Sequence, residues 1–366
     1  MQSDSEQEVA TGSKDTLEDT TGLLLQWLPR DYGSPIPECY LDRLSTWAKI
    51  ENQRLIKLVI NRSGFTPEQY KKLEDKISDK KFNQYGNIEL IDFNKFDLKE
   101  YDFSFHAHTN LWINKAKFPK YTISEYYSQL YSIIPQEERV NFAVEIDTMR
   151  MLTLYAIDSP IIYLDFDIFP KKDYKIGKII AEKGCLFNEV VDTTSTDNHL
   201  ENSIIAVGNS GKNIIAKICN DVKLLWTECY LDLRHLRSNI YHITTNAVDV
   251  IIRDLYDHCP INNYTSTQEY NNKLHEWEKG KRPLIHKIFG FQTNGGNVIT
   301  KYEHSWYDNY TCNDSNTQND HIQSTCIKLS EQELSHKNLD ALDNLELSDI
   351  ETNMEVNMEV AGISMS

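Results

Sequence analysis

Ile161-Ile162-Tyr163-Leu164-Asp165-Phe166-Asp167-Ile168 reads as a buried central strand whose apolar run is broken near its C-terminal end by two carboxylates. Open α/β sheets place their ligands at that end of the strands. A buried carboxylate is costly unless it is paired or holds a cation, so Asp-x-Asp here points to a divalent metal bound with a substrate phosphate. The competing reading is a solvated turn capped by two aspartates, and the surrounding sequence must decide between them.

Immediately upstream, helical spacing of Ile123, Tyr126, Tyr127, Leu130 and Ile134 stops at Pro135, and a second helix is expected over 137–156. It carries Asp147 and Arg150 on one face, which an intrahelical salt bridge alone would explain. Further back, Leu23-Leu24-Leu25-Gln26-Trp27-Leu28 is a strand closed by Pro29, and Trp27 at its end is either core or a platform for a nucleobase. A helix over 41–52 leads to the strand Leu55-Ile56-Lys57-Leu58-Val59-Ile60. Thr66 then fits an N-cap, Pro67 the first helical position and Glu68 the first turn. The next strand is Ile88-Glu89-Leu90-Ile91-Asp92, so strand, helix and strand follow as in a parallel βαβ unit.

Downstream, 179–190 supplies another strand and 192–198 a polar loop. Glu201 and Asn202 follow at an expected loop–strand junction, where a catalytic base and an amide are readily presented. Ser203-Ile204-Ile205-Ala206-Val207 is a strand and 212–233 a helix. Asn294-Gly295-Gly296-Asn297 reads as a turn before the aromatic cluster around Ser305 and Trp306.

The whole chain has 366 residues, 40% of them hydrophobic, enough for one catalytic domain with appendages. Its net charge of -17 argues against general nucleic-acid binding, which needs clustered Lys and Arg. Seven scattered cysteines without a Cys-x-x-Cys pair read as reduced thiols. No transmembrane segment and no conventional signal peptide is expected.

Trp27, Asp147-x-x-Arg150, Asp165-x-Asp167, Glu201-Asn202 and Ser305-Trp306, in that order, resemble the arginine N-acetylglucosaminyltransferase effectors of enteric bacteria, the NleB/SseK family. Leu25-Gln26-Trp27, Ala48-Lys49-Ile50-Glu51-Asn52-Gln53-Arg54 and Leu200-Glu201-Asn202-Ser203-Ile204-Ile205-Ala206-Val207 extend the likeness, which spans residues 23–306. It implies an α/β GT-A glycosyltransferase fold, Rossmann-like, over 22–310 with a helical-hairpin insertion near 118–142. A disordered leader (1–21) precedes it and an acidic, partly helical or disordered tail (311–366) follows.

The resemblance further implies a UDP-sugar donor, UDP-GlcNAc first, held with Mn²⁺ or Mg²⁺. Trp27 would stack on the uracil, Gln26 and Tyr40 would lie against the nucleoside, and Asp147 and Arg150 would bind sugar and diphosphate. Asp165 would contact the ribose or the metal shell, Asp167 and Asn297 would ligate the metal, Glu201 and Asn202 would form the catalytic centre, and Ser305 and Trp306 a lid. Because a guanidinium stays protonated at neutral pH, an arginine acceptor needs a carboxylate such as Glu201 to orient and deprotonate it. The acceptor would be a host protein, reached by a type III or IV secretion system, with secretion or adaptor contacts made through the acidic tail. UDP-glucose transfer to Ser, Thr or Tyr, and an inactive binding module of the same fold, are the alternatives. Four departures from the family pattern stand out. Ile146 occupies an aromatic position, Asn188 falls nearest the family's catalytic His, Ile299 replaces a Ser ligand with Thr300 one position off, and the chain runs 60 residues past Trp306.

Overall fold

The computed structural model describes residues 14–106, 119–135, 138–170, 175–191, 198–228, 290–292 and 298–300. The chain divides into two compact units, Met1–Cys312 and Asn313–Ser366, and every described residue lies in the first. Its elements are β1 (Asp15–Leu17), β2 (Gly22–Trp27), α1 (Glu38–Ile50), β3 (Ile56–Ile60), α2 (Pro67–Ser78), β4 (Ile88–Asp92), β5 (Ser104–His106), β6 (Lys120–Thr122), α3 (Ile123–Gln129), α4 (Phe142–Ala156), β7 (Ile161–Leu164), β8 (Ile168–Pro170), β9 (Ile179–Ala181), β10 (Cys185–Val191), β11 (Asn198–Val207), α5 (Lys212–Glu228), β12 (Gly290–Gln292) and β13 (Val298–Thr300).

A seven-stranded sheet in the order β12-β10-β11-β7-β2-β3-β4 carries the fold. Strands β7, β2, β3 and β4 run parallel, whereas β11 is antiparallel to both β7 and β10. The chain winds outward from β2 through β3 to β4, and β7 returns on the opposite side of β2. The C-terminal ends of β2 and β7 therefore flank a topological switch point, where open α/β sheets form their ligand crevice.

Period-2 alternation divides the apolar residues between two cores. Leu24, Val59, Ile161, Tyr163 and Ile205 face the layer holding α3, α4 and α5. Leu23, Leu25, Leu58, Ile162, Leu164 and Ile204 face α1 and α2. Helix α2 starts as its sequence dictates: Thr66 Oγ1 accepts from the Gln69 N–H at 3.2 Å, and Gln69 Oε1 accepts from the Thr66 N–H at 3.0 Å, with Pro67 at the first helical position. Among the described residues no helix is long and apolar enough to cross a membrane.

Several expectations need correction. The leader is not disordered as far as Thr21: Asp15–Leu17 pairs antiparallel with β9, Leu17 is fully buried, and Asp15 Oδ2 accepts from both the N–H and the hydroxyl of Ser210 at 2.7 Å. That burial and pairing offset the ordering entropy that a polar leader could not repay on its own. Among its described residues, the segment expected as a helical hairpin holds one short strand, β6, and one helix, α3, followed by turns. Ile123, Tyr126 and Tyr127 are fully buried, so α3 belongs to the core rather than to a projecting insertion. Helix α4 begins at Phe142, not near 137, because Asn141 Oδ1 caps it by accepting from the Ala143 N–H at 2.9 Å. Of the described cysteines, Cys185 and Cys219 are free and buried, whereas Cys39 is disulfide-bonded, against the expectation of reduced thiols.

Candidate functional site

Strand alternation builds the site at the ends of β2 and β7. On β2, Gln26 turns toward α4 and Trp27 toward α1. On β7 and its continuation, Tyr163 and Asp165 turn toward α4 and Phe166 toward α1. The two sets of side chains converge on the switch point from opposite faces of the sheet.

On the α4 side Arg150 is the hub. Its Nη2 lies 2.8 Å from Asp165 Oδ1, its Nη1 lies 3.1 Å from Asp147 Oδ1 and donates to the Asn202 carbonyl at 3.1 Å, and its guanidinium sits 4.8 Å from the Tyr163 ring centroid. The Tyr163 hydroxyl donates to Asp165 Oδ1. Asp147 and Arg150 thus form the intrahelical pair their spacing allows, but the pair reaches across to the Asp-x-Asp turn. Burial lifts the Asp147 carboxyl to about 6; Arg150 opposes the rise, neighbouring Asp165 adds to it and the Asn202 side chain counters it. Asp165 is likewise raised, by burial first, against the pull of Arg150 and Tyr163. Two carboxylates sharing one guanidinium leave surplus negative charge, which favours a cation nearby.

On the α1 side Trp27, Tyr40 and Phe166 form an aromatic triangle with centroid separations of 5.4, 5.8 and 5.5 Å. Trp27 is half-buried, and its Nε1–H has no hydrogen-bond partner among the described residues. Gln26 joins the two halves, its Nε2 donating to the Ile146 carbonyl at 2.9 Å while its buried Oε1 has no partner among the described residues. An aromatic surface beside two buried, unsatisfied amide- and indole-type groups suits a flat heterocycle carrying its own donors and acceptors. Ile146 packs partly buried against the α4-side core and offers no ring.

Glu201 and Asn202 lie inside β11, not at a loop–strand junction. The register between β10 and β11 slips between Phe187 and Asn188, pairing Phe187 with Ile205 and Asn188 with Glu201. The resulting bulge lies at Asn202, Ser203 and Ile204. It aligns the Ser203 carbonyl with the Asp165 N–H at 2.9 Å. Asn188, nearest by sequence to the family's His, is fully buried and donates to Ser203 Oγ at 2.9 Å. The Glu201 side chain lies outside the described set, as do Asn297, Ser305 and Trp306. The strand just after Asn297, Val298–Thr300, does pair with Ile168–Pro170, the strand just after Asp167.

The donor set fits a hard divalent cation of the Mn²⁺ or Mg²⁺ kind held by one or two carboxylates and completed by substrate phosphate oxygens and water. Asp165 and Asp167 share one three-residue turn, and no cluster of three or more His, Cys, Asp or Glu side chains placed to hold a metal occurs among the described residues. Tyr163 and Phe166 are the residues sequence reasoning overlooked. Strand period places Tyr163 on the face of Asp165, and that was their readable signal.

Fold and site define an α/β protein, a mixed seven-stranded sheet flanked by helices, with a carboxylate–guanidinium cluster at its switch point. No family model and no curated protein matches the chain. Among solved structures it is similar to a transferase with two cysteine-to-serine substitutions, at 17% identity over 79% of this chain and 96% of that one, TM-score 0.49. It is similar also to the bacterial N-acetylglucosamine transferase NleB, at 20% identity over 79% and 97%, TM-score 0.44. The catalytic domain of alpha-toxin from Clostridium novyi is a further such structure, at 13% identity over 73% and 69%, TM-score 0.35.

Proposed function

We propose that the protein is a metal-dependent glycosyltransferase that moves a sugar, GlcNAc from UDP-GlcNAc, onto an arginine of a host protein after secretion from a bacterium. The observation that carries this reading is the Arg150 bridge from Asp147 to Asp165, set beside the Trp27–Tyr40–Phe166 triangle at the switch point. Such a pair of subsites suits a base joined to a diphosphate. Trp27 stacks on the uracil, Gln26 and Tyr40 lie against the nucleoside, and Arg150 with Asp147 orients the sugar and diphosphate. Asp165 and Asp167, with Asn297, would hold Mn²⁺, which when bound neutralises charge on the departing UDP. Arg150 adds a fixed cationic group to that leaving group. Glu201, with Asn202 beside it, orients the acceptor and takes its proton, while Ser305 and Trp306 cover the donor.

Purified protein is incubated with Mn²⁺, a panel of UDP-sugars and host-cell lysate; UDP release is read first and modified side chains are mapped by mass spectrometry. UDP-GlcNAc is expected to give labelled arginine, and Asp167→Ala is expected to lower labelling at least ~100-fold, as for loss of a group that stabilises leaving-group charge. Labelled Ser, Thr or Tyr from UDP-glucose would replace the proposed donor and acceptor. No turnover with any UDP-sugar, despite tight UDP binding, would make the chain a binding module.

A further inference from the structure

Helix α1 presents Tyr40, Arg43 and Trp47 on one stripe, continued by its cap residue Glu51. Each of the last three grips backbone of the segment that contains the Asp-x-Asp turn. Arg43 Nη1 donates to the Phe166 carbonyl at 3.1 Å, Trp47 Nε1 donates to the Ile168 carbonyl at 3.1 Å, and Glu51 Oε1 accepts from the Ile176 N–H at 2.6 Å. The Arg43 guanidinium also lies 4.7 Å from the centroid of the Tyr40 ring, and Tyr40 packs on Phe166.

Peptide units are planar, so a held carbonyl orients the N–H and Cα of the residue that follows. The Phe166 carbonyl belongs to the unit that ends at Asp167. The Ile168 N–H, which donates to the Asp165 carbonyl at 3.1 Å, belongs to the unit that begins at Asp167. Both peptide planes flanking the Asp167 Cα are thereby held. Trp47 holds the next plane along. Arg43 is itself buried, so its contacts with the ring of Tyr40 and with the turn are made in a low-dielectric setting where each counts for more.

We infer that this stripe of α1 is a positioning device: Arg43 and Trp47 fix the backbone at Asp167, and the contact of Arg43 with Tyr40 makes the Trp27–Tyr40–Phe166 triangle and the placement of Asp167 one mechanical unit. The metal–nucleotide role of the turn rests on the function proposed above; the backbone clamp does not. In energetic terms the stripe supplies coupling between two subsites, so that a nucleoside seated on Trp27, which packs on buried Tyr40, and a cation at Asp167 strengthen one another.

The test pairs two readouts on Arg43→Met, which keeps the aliphatic stem and removes the donors. In the ligand-free protein, amide exchange at Ile168 is expected to rise at least ~10-fold while α5 keeps its protection. By calorimetry, the factor by which Mn²⁺ tightens UDP binding is expected to fall at least ~5-fold, whereas general destabilisation would weaken both affinities and leave their ratio unchanged. Arg43→Lys, which retains a cation and a donor, is expected to restore part of the ratio. Unchanged Ile168 exchange in folded Arg43→Met protein overturns the inference, as does an unchanged manganese factor alongside faster exchange. A wild-type protein whose UDP affinity ignores manganese overturns the proposed metal role instead, and faster Ile168 exchange in the variant then still upholds the clamp. Should Arg43→Met not fold, Trp47→Phe, which keeps a ring and loses the donor, is read by the same two measurements with the same expected directions.

Discussion

Asp147 shows how one buried side chain ties the site to solution conditions. Its carboxyl, ordinarily near 3.8, titrates at about 6 in the folded chain, chiefly because burial penalises the ionised form. The folded state therefore binds this proton more tightly than the unfolded state does. The stability it contributes is fully present below about pH 4 and is lost as pH rises through about 6. Asparagine at this position does not titrate. Without ligand, Asp147→Asn should match the wild type near pH 4 and exceed it by about 2–3 kcal/mol near pH 7. Urea unfolding across pH 4–7.5 checks this, and a constant difference over that range would show that Arg150 cancels the effect of burial. Removing Arg150 is the opposite case: Arg150→Met leaves Asp147 and Asp165 buried without their shared partner, and should cost about 3–5 kcal/mol at pH 7.5, less in acid. Equilibrium unfolding at both pH values measures it.

Among the elements, α4 depends on a contact that no local sequence pattern announces. Its C-terminal carbonyls, those of Leu154 and Tyr155 and the following Ile157, receive the Lys212 ammonium from the start of α5, at 2.7 Å and 2.9 Å for the first two. Burial draws the Lys212 ammonium down to about 8, so it remains charged at neutral pH and satisfies helix-end acceptors that would otherwise lack partners. Lys212→Met should cost about 2–3 kcal/mol and speed exchange in the last turn of α4 ahead of the rest. Residue-resolved exchange would detect it, and uniform loosening of α4 would count against a local cap.

This scale also separates what the sequence disclosed from what it concealed. Strands β2, β3, β4 and β7 and the start of α2 were legible because apolar runs, period and capping chemistry are local. The Asp165–Asp167 turn was legible because carboxylates at the end of an apolar strand have few uses. Strands β1 and β8 were not, since each has three residues and draws its stability from a distant partner, and the single strand expected over 179–190 is two, β9 and β10. The bulge that places Glu201 and Asn202 inside β11 was hidden for the same reason: a register slip depends on two strands, and only one of them is read at a time. Tyr40-x-x-Arg43 carried helical spacing in plain view, but the carbonyl that Arg43 holds lies 123 positions away along the chain.

On the scale of the molecule, β2 is shared between two cores, with Leu24 fully buried on the α4–α5 side and Leu25 fully buried on the α1–α2 side. Neither layer can open without exposing one face of the same central strand, and β7 repeats the arrangement through Tyr163 on one face and Ile162 and Leu164 on the other. The site needs both layers, because Arg150 comes from α4 and Tyr40 and Arg43 from α1. A loss on one face should therefore be felt on the other. Leu25→Ala removes side-chain volume only from the α1 side and should cost about 2–5 kcal/mol. Under native conditions, protection of the slowest amides of α5, on the opposite face, should fall by the same amount as in α1. Leu24→Ala should produce the converse, lowering α1 together with α5. If Leu25→Ala lowers protection in α1 and leaves α5 untouched, the two layers open independently, and the Arg150 and Tyr40 halves of the site could separate without global unfolding.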